Sequence, residues 1–342
     1  MNKKGVVIEL QFNWIFVLIV SALTLVLTVG IIAAISRSSN EKLANVAVNY
    51  FKEIFANIQK STNREYKLSL EGLSLSVDSE KDFCSKFSVK GSSLEGESIA
   101  SIPFFSPASI NEELLSYSLS WNIPFRANYF LYATGPDVAY VFVTAGGDET
   151  SVLFDNSPKG ISKIKVQAGA GFVNSNFKSI RFISNSDISV IDQSVSRLND
   201  KQVSFIKIES AANKVKYHIK SGNVFALEAE SYYFDTPSLL AAIYSDNAGS
   251  YECNMLKAVK RLGYEAQIVK ARIAPIIAGY YDKCNSLEQK YHDAEALLDE
   301  ITPLTVGADS LSASLVSELR AKSDALSAIN NDINELGCPT IY

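Results

Sequence analysis

CNSLEQKYHDAEALLDEITPLTVGADSLSASLVSELRAKSDALSAINNDINELGC, residues 284–338, has the spacing of two helical arms around a break. In the first arm Leu287, Tyr291, Ala294, Leu298 and Ile301 recur at alternating intervals of four and three. The second arm repeats the pattern at Leu315, Leu319, Leu326, Ile329, Ile333 and Leu336, with Lys322 at the one violating position. Such spacing keeps a single apolar stripe on one helical face. Pro303 and Gly307 supply the turn between the arms, and Asp309 or Ser310 suits the cap of the returning helix. The expectation is an antiparallel helical, coiled-coil-like hairpin whose stripes pair with each other or build a homo-oligomeric bundle.

The same period extends upstream through Met255, Val259, Leu262, Ala266, Val269, Ile273, Ile276 and Tyr280. The first arm is therefore long, with Pro275 and Gly279 marking a kink or break in it. An antiparallel return brings Cys338 back toward Cys284, which leaves Cys84 and Cys253 to tie a preceding region to the helices. Four cysteines allow three connectivities, so this pairing is one of three. An even number without a Cys-x-x-Cys pair suits disulfides in an oxidising compartment, the alternative being four reduced thiols in a cytosolic core.

From Tyr66 to Phe234 the texture changes to short alternating runs broken by Gly, Ser, Asn and Pro. Tyr140-Val141-Phe142-Val143 and Ser151-Val152-Leu153-Phe154 flank Gly146-Gly147-Asp148 like the strands of a hairpin. Val215 to Ile219 and Val224 to Leu227 flank Ser221-Gly222-Asn223 in the same way. The density of turns predicts a β-rich, mostly antiparallel body.

Ahead of that body, Leu43, Val46, Ala47, Tyr50, Phe51, Ile54, Phe55 and Ile58 form an amphipathic helical stripe. It docks on the protein's own body or on a partner helix. Further upstream, Leu10 to Ser36 are 27 consecutive residues without a charge. At about 1.5 Å per residue this run is long enough to cross a hydrocarbon core. Trp14 sits where an interfacial aromatic anchor would. The run exceeds a signal-peptide core and lacks a clean small-x-small cleavage site, so it is expected to be retained as an anchor. Lys3 and Lys4 before it nearly balance Arg37, Lys42 and Lys52 after it; the cysteines, all downstream, favour a cytoplasmic amino terminus and an extracytoplasmic body.

Composition narrows the chemistry. The 342 residues carry 32 basic against 37 acidic side chains, a net −5, with 47% hydrophobic content. Global disorder is excluded by the hydrophobicity, and nucleic-acid binding is disfavoured by the absence of a cationic excess. Two histidines, His218 and His292, lack a second imidazole at ligand spacing, so no metal is expected. The glycine-rich Gln167 to Phe172 has neither phosphate-loop spacing and is taken as a turn. No nucleophile elbow, calcium loop or Asn-x-Ser/Thr sequon occurs, and no catalytic residue or cofactor is assigned.

Lys3-Lys4-Gly5, then Val6-Val7-Ile8-Glu9-Leu10 and an apolar span entering an amphipathic stalk, resembles a type IV pilin amino terminus. That likeness implies processing after Gly5 and a filament subunit. Glu9 would then be the fourth mature residue instead of the usual fifth, and Gln11 and Asn13 place polarity where pilins are apolar. Across nearly the whole chain, Ile8 to Phe16, Trp121-Asn122-Ile123-Pro124-Phe125-Arg126 and Tyr251-Glu252-Cys253-Asn254-Met255 resemble uncharacterised single-pass membrane proteins of small-genome archaea. This second likeness implies a cell-envelope setting and no activity.

The sequence thus predicts an α+β protein in four parts: tail and transmembrane helix (1–36), amphipathic stalk (37–62), β-rich body (63–240) and helical hairpin (241–342). The expected role is a non-enzymatic, membrane-anchored protein of the envelope. Its partners would be the lipid bilayer and other envelope proteins or a second copy met through the stalk or the hairpin. A pilin-like subunit and an anchored hydrolase or ligand-binding enzyme are the alternatives.

Overall fold

The computed structural model describes residues 65–78, 86–89, 97–98, 102–145, 148–168, 170, 172, 177–187, 199–279 and 284–342, with helical positions between 21 and 57. The chain is α+β, with two mixed six-stranded sheets followed by a C-terminal helical region.

The first sheet contains β1 (Glu65–Asp78), β2 (Lys86–Val89), β3 (Glu97–Ser98), β4 (Phe104–Phe105), β5 (Ser109–Asn122) and β6 (Arg126–Thr134), in the order β3-β2-β1-β5-β6-β4. Its pairings are antiparallel except for the short β4 beside β6. Strand alternation divides β5 between two cores: Tyr117, Leu119 and Trp121 enter the main cluster, whereas Ile110 and Leu114 enter a second one. That second cluster is closed by Ala44, Ala47, Val48 and Phe51 of the N-terminal helical segment, packed with Leu70, Leu75, Phe87 and Leu131. The stripe therefore docks on the protein's own sheet, but the buried face is rotated from the one the sequence predicted. Ala47 and Phe51 point inward, while Val46 and Tyr50 stay exposed. Two alanines on the docked face let the helix approach the sheet more closely than Val46 and Tyr50 would.

The second sheet contains β7 (Val138–Thr144), β8 (Lys163–Gln167), β9 (Ser179–Ser184), β10 (Val203–Glu209), β11 (Lys214–Ser221) and β12 (Val224–Tyr232), in the order β12-β11-β10-β9-β7-β8. β8, β7, β9 and β10 run parallel; β11 and β12 add an antiparallel hairpin whose turn uses Gly222 at φ 63°. Over the two sheets antiparallel pairings outnumber parallel ones six to four among the described residues, as the turn density suggested, but in this sheet three of the five pairings are parallel. β7 is apolar on both faces, with Tyr140 and Phe142 in the main core and Ala139 and Val141 in a third cluster. Two-sided burial is the condition of a central parallel strand. The partner strand expected at Ser151–Phe154 is instead helix α1 (Glu149–Asn156). Asp148 caps it by accepting from the Ser151 amide at 3.0 Å, which turns an apparent hairpin into a β-α crossover.

Helix α2 (Thr236–Tyr244) joins the two sheets. Asp235 caps its start, and Tyr244 packs on Tyr117 and Tyr132 of the first sheet and Tyr140 of the second. Arg181 of β9, nearly buried, donates to the carbonyls of Ile243 in the helix's last turn and of Ser245 and Asp246 just beyond it, and to the Ser204 hydroxyl.

Three helices follow: α3 (Ala248–Gly279), α4 (Glu288–Val306) and α5 (Ala313–Glu335). The expected two-armed hairpin is corrected, because the long first arm folds back on itself after Gly279. α4 returns along α3, with Lys270 on Asp299 at 2.7 Å and Gly263 against Thr305. A Cβ at 263 would lie 2.3 Å from Thr305 Oγ1, so only glycine allows this approach. α5 then returns along α4 through Lys290–Asp332 at 2.5 Å, Lys322–Glu300 and the Cys284–Cys338 disulfide. Lys322, the violation of the stripe, is thus an ion-pair partner at the rim. Pro275 lies within α3 and Pro303 within α4, and Ser312 caps α5 in place of Asp309 or Ser310.

Cys253 is also disulfide-bonded. Cys84, Gly5 and Trp14 lie outside the described residues. The uncharged run is described only at residues 21, 22, 24–26 and 29, which are helical and exposed. Among the described residues no helix is long and apolar enough to cross a membrane.

Candidate functional site

A cavity of about 280 Å³ opens where the first sheet meets the crossover that follows α1. Its walls are Glu65, Tyr66 and Lys67 of β1, Leu115, Ser116 and Tyr117 of β5, and Pro158, Gly160 and Ile161. Register explains the first two walls: Glu65 pairs with Tyr117, Tyr66 with Ser116 and Lys67 with Leu115. The third is held by Lys163, whose Nζ donates to the carbonyls of Phe154 at 2.7 Å and Ser157 at 2.6 Å while lying over the Phe154 ring. Burial lowers the Lys163 pKa first of all, with Asp155 and Glu65 opposing. Ile161 belongs to the main core, so the loop is anchored at both ends.

The lining is mostly apolar; its charged groups sit at the rim, and the hydroxyls of Tyr66, Ser116 and Tyr117 are buried. Glu65 and Lys67 are exposed, and Lys67 reaches Glu113 across the strands at 2.5 Å. A Cβ built on Gly160 would meet only Glu65 Oε2, at 3.4 Å. At the back, the buried Tyr117 hydroxyl is turned toward that of Tyr244 without reaching hydrogen-bond geometry. Desolvation raises both phenols well above their ordinary pKa, with Tyr132 adding to the effect at Tyr117. They stay neutral near pH 7 and offer neither a base nor a nucleophile.

The cavity also borders the first stretch of β1. β2 covers β1 only at Leu75–Asp78, whereas β5 pairs with it from Glu65 onward. Among the described residues, 65–69 therefore have a neighbouring strand on one side only.

Residues singled out by sequence lie elsewhere. His218, on β11, stacks on Phe205 at 5.0 Å, and burial lowers its pKa. His292 is exposed on α4 beside Glu295 at 3.1 Å. No group of His, Cys, Asp and Glu able to hold a metal occurs among the described residues. Gln167 ends β8, and Phe172 is buried with the third cluster on the far face of the second sheet. Cys284 and Cys338 meet at the foot of α4 and α5. None of the cavity residues was singled out beforehand; the Pro158 and Gly160 break was the one local signal. No protein family, curated protein or solved structure matches the chain.

Proposed function

We propose that the protein is a membrane-anchored component of the cell envelope that acts by protein–protein contact, its body outside the membrane. The anchor is the uncharged run Leu10 to Ser36, which enters the amphipathic stalk. One observation carries the contact role. The cavity is mostly apolar, lies against a stretch of β1 that has one neighbouring strand among the described residues and brings no catalytic pair to its walls, so it is suited to holding part of another molecule rather than transforming one. The Cys284–Cys338 disulfide supports the extracytoplasmic placement, because such bonds persist in oxidising compartments.

The test is labelling of intact cells with a membrane-impermeant maleimide, before and after reduction. Labelling only after reduction is the expected result. Labelling that requires lysis and occurs without reduction would put the body in the cytoplasm and overturn the reading.

A further inference from the structure

We propose that two copies of the protein pair through the outward face of α3, antiparallel about a two-fold axis between Ile268 and Ala271. This rests on the contact reading above and gives a second copy of the chain as a partner, met away from the cavity.

The second half of α3 is apolar on two sides. Its inner stripe, Ala266, Val269 and Ile273, is buried, and α4 returns along it after Gly279. Turned the other way are Tyr264, Ile268, Ala271, Pro275 and Ala278, all exposed, the first two at 58% each. Their intervals of four, three, four and three make a second heptad seam on the same helix, which stays helical through Pro275. A surface helix ordinarily turns polar side chains to solvent on that side, and one that is apolar all round belongs in a buried place.

Direction and register follow from the seam and its flanks. Antiparallel pairing sets Tyr264 against Pro275 of the second copy and Ile268 against Ala271, so a large side chain meets a smaller one in each layer. The same register brings Arg272 within a helical turn of Glu265 of the second copy, and the two-fold axis makes that pair twice. Arg272 has no ion pair among the described residues, and Glu265 is met there by Arg261 of its own helix at 3.6 Å. Parallel pairing would instead put Tyr264 on Tyr264 and Arg272 beside Arg272. The body lies toward the start of α3, where Tyr251 meets Phe105 and Asn254 accepts from the Phe104 amide at 3.2 Å. Antiparallel helices therefore carry the two bodies to opposite ends of the pair. At about 1.5 Å per residue the seam is only about 21 Å long, so pairing is weak in solution and gains where an anchor holds both copies on one membrane.

The test is sedimentation equilibrium of the full-length protein in density-matched detergent. The unaltered protein is expected to dimerise reversibly with a Kd of about 100 μM or tighter. Ile268→Glu, at an exposed position, should weaken the dimer at least about tenfold. Arg272→Glu and Glu265→Arg should each weaken it about threefold or more, and the two together, which restore opposite charges across the axis, should return it to within about twofold. Unchanged far-ultraviolet dichroism of each variant separates loss of pairing from loss of fold. Direction is read by cross-linking, since the described cysteines are all disulfide-bonded and an added thiol reports alone. Ile268→Cys and Ala271→Cys proteins, mixed and oxidised, should link to each other in preference to themselves. A monomer up to about 1 mM, a dimer that Ile268→Glu leaves intact, a double charge variant no better than the singles, or preferred self-linking would each overturn the proposal. Such a result with the body still labelled outside the cell removes self-pairing and leaves the contact reading intact. Pairing by a body found in the cytoplasm would do the reverse.

Discussion

β12 of the second sheet and the first stretch of β1 in the first carry similar surface devices but differ in what lies beside them. β12, at the edge of the second sheet, is guarded by charge: Glu230 bonds Lys214 at 2.9 Å and lies 3.5 Å from Lys216, which reaches Glu209 at 2.6 Å. A register shift against β11 at Tyr217/His218 leaves Glu228 unpaired and interrupts the alternation of the exposed Val224 and Leu227. Charges and bulges are the devices by which edge strands avoid adventitious pairing. The first stretch of β1 carries charge as well, at Glu65 and at Lys67, which reaches Glu113 at 2.5 Å, and its register with β5 shifts after Ser69. What sets it apart is the mostly apolar cavity beside it, so the two strands differ in what adjoins them and not in how they are guarded.

Different as the surroundings of the two strands are, their sheets share one core, and the strongest way to break the comparison is to attack it. Trp121 is fully buried, stacked on Phe130 and edge-on to Phe234. Trp121→Ala should cost about 4 kcal/mol. If the sheets form one unit, urea unfolding followed by far-ultraviolet dichroism and by hydrogen exchange in β7 should shift together. Loss of the first sheet with β7 still protected would make them separate domains. The next largest effect tests how the second sheet holds α2. Arg181→Met removes the donor to three carbonyls in a nearly buried site and should cost about 3 kcal/mol in the same assay. An unchanged midpoint would mean that α2 is held by its aromatic packing alone.

How much of this was legible in the sequence follows the range of the interactions. Helical period is local, so Met255 to Ile273, Tyr291 to Ile301 and Leu315 to Ile333 announced their buried faces, and the antiparallel return brought Cys338 to Cys284. The fold-back after Gly279 was underestimated, because a continuing period looks the same in one bent helix and in two packed ones. In the sheets, strand direction is set by long-range pairing. The doubly apolar Ala139 to Phe142 carried the mark of a parallel strand, yet the nearby glycines suggested a hairpin. The capping role of Asp148, which decides for a helix, depends on backbone geometry. The cavity was illegible for the same reason, since its three walls come from segments around residues 66, 116 and 160 that nothing local connects.

The smallest predicted effect sharpens the comparison at the guarded edge. His218 sits on β11 beside β12, stacked on Phe205, with Lys207 of β10 and Asp187, beyond the end of β9, acting on it. Burial is the leading cause of its lowered pKa, ahead of the backbone of Lys216 and the charge of Asp187, which both oppose it. The folded value therefore lies below the unfolded one of about 6.5, and protons favour the unfolded chain. Its contribution is complete above pH 6.5 and is lost as pH falls through the folded value. His218→Phe keeps a ring on Phe205 and removes the titration, so the stability lost between about pH 7.5 and 5.5 should be smaller than in the unaltered protein. The difference should be under about 0.5 kcal/mol, because the residue is only partly buried and solvent screens its charge. If the variant loses as much stability over that interval as the parent, His218 is not the group that titrates there. Glu230, held below its usual range chiefly by the hydrogen bond from Lys214, belongs to a lower interval, because its contribution is complete above about pH 4.5 and is lost only as the pH falls further.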